Sequence, residues 1–593
     1  MHKTSWCSNF SLCAGQIPTS LFTLPALQHL DLSHNNLSGP IHELDGVSSC
    51  LKIVFLYMNE LTGKIPQSLL VLPNLTHLDI HGNNLMGSVD LAASLWRLKD
   101  LTYLQLSDNK LTVTEGKGSN SSSTYPSRLF LLGLASCNMK KIPKLLMRLN
   151  HMAYLNLSSN KISGDIPNWI WEIQNYEPRT LDLSHNLFTG VELNSYVIPF
   201  SSVLNVFDLS SNRLQGQIPM PSSSALSLDY SNNMFSSLLP NFSLYLGSTN
   251  YLKLSNNNIT SDLSHSICNS PLEILDLSYN KFSGTVPPCL IGNGLSILNL
   301  GENQFEGMLP SNVSSGCSVE TIDLHGNKIE GQLPRALHNC TNLEVLDLGR
   351  NQIADTFPYW LGTLLNLRVL VLRSNQFHGS IGYLKDEKSR QHFSSLQIID
   401  LASNKFSGNL HPQWFQNLKA MKKCNNKGQI IGHQNLTTIG FYQDSVTISY
   451  KGSAMTFERI LTTLTAIDIS DNALEGTIPV SVGNLVSLHV LNMSHNAFSG
   501  EIPPQLGSMT SLESLDLSSN MLSGEIPQEL TNLTFLSVLN LSNNQLHGRI
   551  PQSRQFETFQ DSSFDGNVGL CGPPLSKLCG TPDPKQRKSE KLL

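Results

Sequence analysis

The pattern L-x-x-L-x-L-x-x-N recurs along the chain. Its Asn, or Cys137 in the same slot, stands at 35, 59, 83, 109, 137, 160, 186, 212, 233, 257, 280, 303, 327, 351, 375, 404, 472, 496, 520 and 544, mostly at steps of 23 to 26 residues. A period of that length means repeated supersecondary units that cannot bury an apolar side alone, so neighbours stack and share a continuous core. In LQHLDLSHN (27–35), Leu27, Leu30 and Leu32 are the inward set. His29, Asp31 and Ser33 alternate outward, because strand side chains have period two, and successive outward sets form a concave surface. One Asn carboxamide per coil can satisfy the backbone groups of the turn between neighbouring repeats. The second half of most units reads x-L-x-G-x-I-P, as in LSGEIP (522–527), where Pro closes a short edge strand.

The fold class expected is therefore an α/β-type repeat solenoid with a concave parallel β-sheet, short second-sheet strands and a convex side of 3-10 helices and loops. The L-x-G-x-I-P consensus is similar to the plant-type subclass of leucine-rich repeats, found in receptor kinases, receptor-like proteins and secreted polygalacturonase inhibitors. Longer strings resemble the receptor-like proteins: LEVLDLGRNQIADTFPYWLGTLLNLRVLVLRSNQFHGSI (343–381), LTAIDISDNALEGTIP (464–479), and the run from NLVSLHVLNMSHNAFSGEIP to SFDGNVGLCGPPLSKLC (484–579). The resemblance covers residues 15 to 579.

Sixty-eight residues separate Asn404 from Asn472, so an insertion interrupts the period. We expect an island over 419–462, opening with Lys419, Lys422, Lys423 and Lys427 and containing the strand-like DSVTISYKG (444–452). Receptor-like proteins carry an island at this place, four repeats before the C-terminal cap. The expected organisation is a degraded or missing N-terminal cap (1–14), a solenoid (15–418), the island, four further repeats (463–551), a C-terminal cap (552–580) and a disordered tail (581–593).

Composition bounds the partners. Only 14% of residues are charged and the net charge is -6, so the broad basic footprint that nucleic acid needs is missing. No kinase Gly-rich loop, H-R-D or D-F-G string occurs, nor any C-x-x-C or H-E-x-x-H zinc spacing, so no catalytic residue, metal or cofactor is expected. No apolar stretch reaches the length of a membrane span and no signal-peptide h-region is visible. Eleven cysteines and many N-x-S/T sequons nevertheless suggest an oxidising, secretory environment. Cys571 and Cys579 have a spacing compatible with a disulfide that closes the exposed core end; Cys317 with Cys340, and Cys268 with Cys289, fall on adjacent coils, where they either bond or stack. Cys137 is the candidate free thiol. Glycosylation candidates are Asn74, Asn120, Asn241, Asn258, Asn312, Asn435 and Asn532; Asn156, Asn492 and Asn540 would shield the concave face if modified.

The outward Asp at 31, 79, 182, 208, 229, 276, 323, 347, 400, 468 and 516 belongs to the repeat's D-L-S pattern and reads as scaffold. Positions that leave the pattern are more informative. One cluster is Phe55, Tyr57, Met58, His77, His81, Tyr103 and Gln105; another is Gly301, Glu302, Thr321, His325, Arg350, Val371 and Arg373, with aromatic and Arg side chains of the kind that anchor interfaces. The resemblance implies a non-enzymatic cell-surface receptor, on the extracellular side of the plasma membrane. It would sense a peptide, protein or elicitor in defence or development and signal through co-receptor and adaptor receptor kinases, with Leu464 to Leu546 matching the family's co-receptor stretch. The expected co-receptor surface comprises Lys422, Lys423, Tyr450, His489 and Ser514. Two other functions fit the same residues: a soluble inhibitor or decoy against microbial wall-degrading enzymes, and a truncated, non-functional receptor fragment.

Overall fold

The computed structural model describes residues 13–22, 24, 26–43, 50–116, 128–149, 151–171, 180–193, 196–198, 204–222, 225–292, 294–381, 393–423, 428–431, 442–553 and 555–580. Two compact units divide the chain: Met1–Ser261 with Asn269–Leu272, and Asp262–Cys268 with Glu273–Leu593. In the first unit, short strands from His29–Asp31 to Tyr251–Lys253 pair in parallel, each with the strand of the next repeat. In the second, the same ladder runs from Ile274–Asp276 to Val538–Asn540. Motif sits opposite motif: Leu346 faces Leu370, and Asp347 faces Val371. Shorter parallel strands, such as Ala497–Glu501 beside Met521–Glu525, form the second layer, and 3-10 helices such as Val480–Asn484 carry the convex side. Two convex segments, Leu91–Arg97 and Pro412–Asn417, are α-helical instead; the Asp90 carboxylate and the His411 ring accept hydrogen bonds from backbone N–H groups of their first turns.

The repeat Asn explains the constant period. Asn351 Nδ2 donates to the carbonyls of Leu324, Leu348 and Gly349 at 2.9, 3.1 and 3.1 Å, and its Oδ1 accepts from the Ile329 N–H at 3.0 Å. One buried side chain thus satisfies backbone groups of two coils, which would otherwise lose their hydrogen bonds to water. Cys137 holds this slot with Sγ 3.4 Å from the Ala135 carbonyl; it is a free, buried thiol, and burial pushes its pKa up to about 12. The outward Asp is equally local. In Asp229, Asp276, Asp468 and Asp516, Oδ1 accepts both the N–H and the Oγ–H of the Ser two residues on.

The ladder also continues past Asn544, where the sequence period ends. Asn567 Nδ2 donates to Leu541 and Phe564 carbonyls at 2.9 Å each, and its Oδ1 accepts from Leu546 N–H at 3.1 Å. Gly569–Cys571 then pairs with Gln545–Arg549, so the start of the cap is one more, degenerate coil. Disulfides join Cys268 to Cys289 and Cys317 to Cys340 on neighbouring coils, and Cys571 to Cys579 at the cap, with Cα separations of 5.6, 4.7 and 5.1 Å.

Ile398–Asp400 pairs directly with Ala466–Asp468, so the segment between them leaves the sheet and returns. Its first part still serves the repeat: Trp414, Phe415, Leu418 and Met421 are buried, and the Met421 carbonyl accepts from Ser487 N–H at 3.1 Å. The insertion therefore departs after Lys422, a few residues later than the spacing placed it, because apolar residues through Met421 fill the convex side of their own coil.

Candidate ligand-recognition site

In the second unit, the outward residue that begins each strand turns apolar over consecutive repeats: Val345, Val369, Ile398, Ala466 and Val490. All five are at most 3% exposed, which an open sheet face would not allow. The insertion covers them. Val446–Tyr450 and Ser453–Phe457 form an antiparallel hairpin around Lys451 and Gly452, whose φ angles of 53° and 78° suit a tight two-residue turn. Pairing puts Val446, Ile448, Tyr450 and Phe457 on one side of this hairpin, and these pack on the stripe together with Ile431 and Ile460. Polar anchors hold both ends. Asn299 Nδ2 donates to Tyr442 Oη at 3.2 Å and Thr321 Oγ1 to Asp444 Oδ2 at 3.0 Å; at the far end Tyr450 Oη donates to Glu513 Oε2 at 2.5 Å, and Lys451 Nζ lies 3.0 Å from the same oxygen.

Thr447, Ala454 and Thr456 lie on the other side of the hairpin. With Ser445 they form one wall of a cavity of about 530 Å³, whose opposite wall is Tyr279, Glu302, Asp323, His325, Asp347, Gly349, Arg350, Val371, Arg373 and Ser374. Tyr279, Glu302 and Arg350 sit on left-handed turn positions just before the repeat Asn. Arg350 Nη1 meets Glu302 Oε1 at 2.5 Å, His325 Nδ1 meets Asp323 Oδ1 at 2.7 Å and Nε2 lies 3.5 Å from Glu302, and Arg373 Nη1 meets Asp400 Oδ2 at 3.1 Å. Burial disfavours charge on His325, but Asp323, Asp347 and Glu302 outweigh it and push its pKa up to about 9. Burial, and then the neighbouring Asp323 and Asp468 respectively, raise the carboxyls of Asp347 and Asp400. Asp323, His325 and Asp347 offer ligand atoms within 4.8 Å of one another, the one such group among the described residues, but the His325–Asp323 hydrogen bond already occupies Nδ1.

Glycine makes room for this network. Most other repeats with an outward Asp place Ser two residues after it; here the slot holds Gly301, His325, Gly349, Arg373 and Ala402 in succession. A Cβ at Gly301 would come 2.7 Å from the His325 ring, and one at Gly349 would come 3.1 Å from Arg373 Cγ. The second sequence cluster thus converges, with Val371 and Arg373 beside the hairpin. The hairpin's partners Val345, Val369, Ile398, Ala466 and Val490, and the anchors Asn299, Tyr442, Asp444 and Glu513, were missed. Apolar outward residues in consecutive repeats were the available signal for the first five.

The first cluster converges separately, in the first unit. Tyr57 stacks on His81 with centroids 4.8 Å apart, His77 stacks on Tyr103 at 5.7 Å, and Phe55 packs against Tyr57, His77 and Tyr103. Tyr103 Oη donates to Asp79 Oδ2 at 3.0 Å, and His81 Nδ1 lies 2.6 Å from Asp79 Oδ1. Burial, helped by His29, lowers the His77 pKa, and burial followed by Asp79 raises that of Tyr103. Gln105 accepts from Ser107 Oγ at 2.7 Å, and Met58 is exposed.

A Leucine Rich Repeat family model matches residues 26–46, 151–173, 271–293, 395–418, 487–509, 511–533 and 535–554, and a further leucine-rich-repeat model matches 317–377. Receptor-like protein 54 of Arabidopsis thaliana is 35% identical over 583 residues, which cover 96% of this chain and 69% of that protein. The chain belongs to the plant leucine-rich-repeat receptor-like proteins. Receptor-like protein 7 of the same plant is 51% identical over 488 residues, 82% of this chain and 47% of its own, so the chain spans about half the length of that relative. Among solved structures, the Arabidopsis receptor kinase HAESA in complex with the peptide hormone IDA and the co-receptor SERK1 is similar with a TM-score of 0.69 at 31% identity, over 94% of this chain and 85% of the matched chain in that structure.

In this receptor-like protein the residues expected to form a co-receptor surface do not share one exposed patch. Ser514 is buried in the sheet, and Tyr450 is held by Glu513. His489 Nδ1 lies 2.9 Å from Thr465 Oγ1, and burial lowers its pKa. Lys422 Nζ donates to the Gln416 carbonyl at 2.9 Å on the convex side, and Lys423 is exposed beside it. Asn74, Asn241, Asn258, Asn312 and Asn532 are exposed, as glycan acceptors require, whereas Asn120, Asn435 and Lys427 lie outside the described residues. Asn492 and Asn540 donate Nδ2 to Asp468 and Asp516 at 3.1 and 3.2 Å, so a glycan there would share that nitrogen with a neighbouring carboxylate.

Proposed function

We propose that this chain is the extracellular recognition part of a kinase-less cell-surface receptor, and that a peptide ligand is read in the cavity between the insertion hairpin and repeats 279–374. The observation that carries this reading is the hairpin itself. It covers the apolar stripe and leaves a walled cavity lined by Glu302, His325, Arg350 and Arg373. Each of these charges is paired, Glu302, His325 and Arg350 within the wall and Arg373 with Asp400 behind it, and Arg350 keeps 60% of its side chain exposed, so the cavity presents fixed polar groups suited to recognition rather than to bond-making chemistry. Receptor kinase partners are supported by the likeness to HAESA, whose complex contains a peptide hormone and a co-receptor. The last four repeats and the docked hairpin then meet a co-receptor, and bound peptide raises the effective concentration of that second contact.

The test uses the membrane-anchored receptor in plant cells, with co-receptor association as the readout and fractionated extracellular peptides as the probe. Association triggered by an active fraction should be lost in the double variant Arg350→Ala, Arg373→Ala. Unchanged association would remove the cavity from the mechanism.

A further inference from the structure

The insertion hairpin has one strand largely covered by the repeats and one whose outer edge pairs with no further strand among the described residues. Val446–Tyr450 is mostly covered, whereas Ser453, Ala454, Met455 and Thr456 are all exposed. Register decides which backbone groups the free strand leaves unused. Tyr450 and Ser453 flank a two-residue turn, so they exchange both hydrogen bonds, as do Ile448 with Met455 and Val446 with Phe457. Ala454 and Thr456 lie between these pairs, and their N–H and C=O groups point away from Val446–Tyr450. No other backbone hydrogen bond reaches them among the described residues.

Natural proteins guard such edges with Lys, Pro, bulges or covering loops. Ser453–Phe457, reading SAMTF, contains no Lys, Pro or bulge. Ala454 and Thr456, which own the free backbone groups, also turn their side chains to the cavity. A strand added beside them would extend the hairpin to three strands and place every second side chain over Glu302, His325, Arg350 and Arg373.

We infer that the Ser453–Phe457 edge is a docking rail for an extended peptide, which adds as a third strand of the insertion hairpin and sends alternate side chains into the cavity. Backbone pairing supplies sequence-independent affinity and the cavity supplies selection, the division of labour of β-strand addition. This rests on the cavity being the ligand site, and it names how the ligand lies there.

The experiment pans a library of short random peptides against the chain and measures the affinity of enriched peptides for wild type and variants. Ala454→Pro and Thr456→Pro each delete one outward N–H that the hairpin does not use, and proline is tolerated at such edge positions. Each should weaken binding about tenfold, the effect of leaving one partner carbonyl unpaired. A second arm needs no change to the protein: N-methylation at alternate peptide residues should abolish binding in one phase and spare it in the other, and this arm decides the matter if a proline variant disturbs the hairpin. Enriched peptides that bind regardless of both proline variants and both methylation phases overturn the rail, as does failure of any peptide to enrich on wild type over the double proline variant. If peptides indifferent to the edge still require Arg350 and Arg373, the cavity stands and the rail falls; if they require neither, both fall.

Discussion

Ile448→Ala tests whether the hairpin is an independently docked element. Ile448 is 2% exposed and lies in the cluster with Val345, Val369, Ile398 and Val490, so truncation removes methyl and methylene groups from a closed apolar contact. A buried Ile→Ala change costs about 2 to 5 kcal/mol, and the strand can relax, which puts the loss at about 3 kcal/mol. The repeat core does not share it: Leu346, Leu370, Ile399 and Ile467 alternate to the opposite side of the sheet, away from the hairpin, and are at most 1% exposed. The whole loss therefore falls on the docking equilibrium, and about 3 kcal/mol is about a hundredfold in the open population. Amide exchange read by mass spectrometry should accelerate by about that factor over residues 446–457, while the strands from Val345–Asp347 to Ala466–Asp468 keep their protection. A loss of protection spread evenly through the repeats, or an unchanged hairpin, would refute the reasoning.

Two further outcomes are expected. Burial pushes the Asp444 carboxyl up to about 7, and the neighbours Asp323, Glu344 and Glu320 add to it against the Thr321 hydrogen bond. The docked state thus holds a proton that the free chain releases near its ordinary 3.8, so hairpin docking weakens as pH rises from about 4 through about 7, and Asp444→Asn should flatten that dependence in amide exchange corrected for intrinsic rates. His325, with a pKa of about 9, stabilises its pair fully below the ordinary 6.5 and loses that contribution as pH rises through about 9; Asp323→Asn should bring the His325 midpoint, followed by ring-proton NMR, down toward 6.5.

Legibility in the sequence followed contact distance. The strand of each repeat, its inward Leu set and the Asn ladder were readable because each contact joins a residue to its counterpart about one period away. Asn567 obeys the same rule, 23 residues after Asn544, but its coil lacks the Leu pattern that marks a repeat. The residues Glu302, His325, Arg350 and Arg373 were found as departures from the D-L-S pattern. That they share a wall was implied by the period, since outward residues of neighbouring repeats lie one strand apart.

What the sequence determined by itself is the solenoid, because its period repeats one local solution and every coil specifies the next. What only the tertiary structure decided is where the insertion lands. Tyr442 reaches Asn299 across 143 residues and Asp444 reaches Thr321 across 123, and no periodicity relates those partners. The landing place is chosen by burial. An apolar stripe on the sheet face and an apolar side on a short hairpin lose contact with water by meeting, and that meeting sets one wall of the cavity.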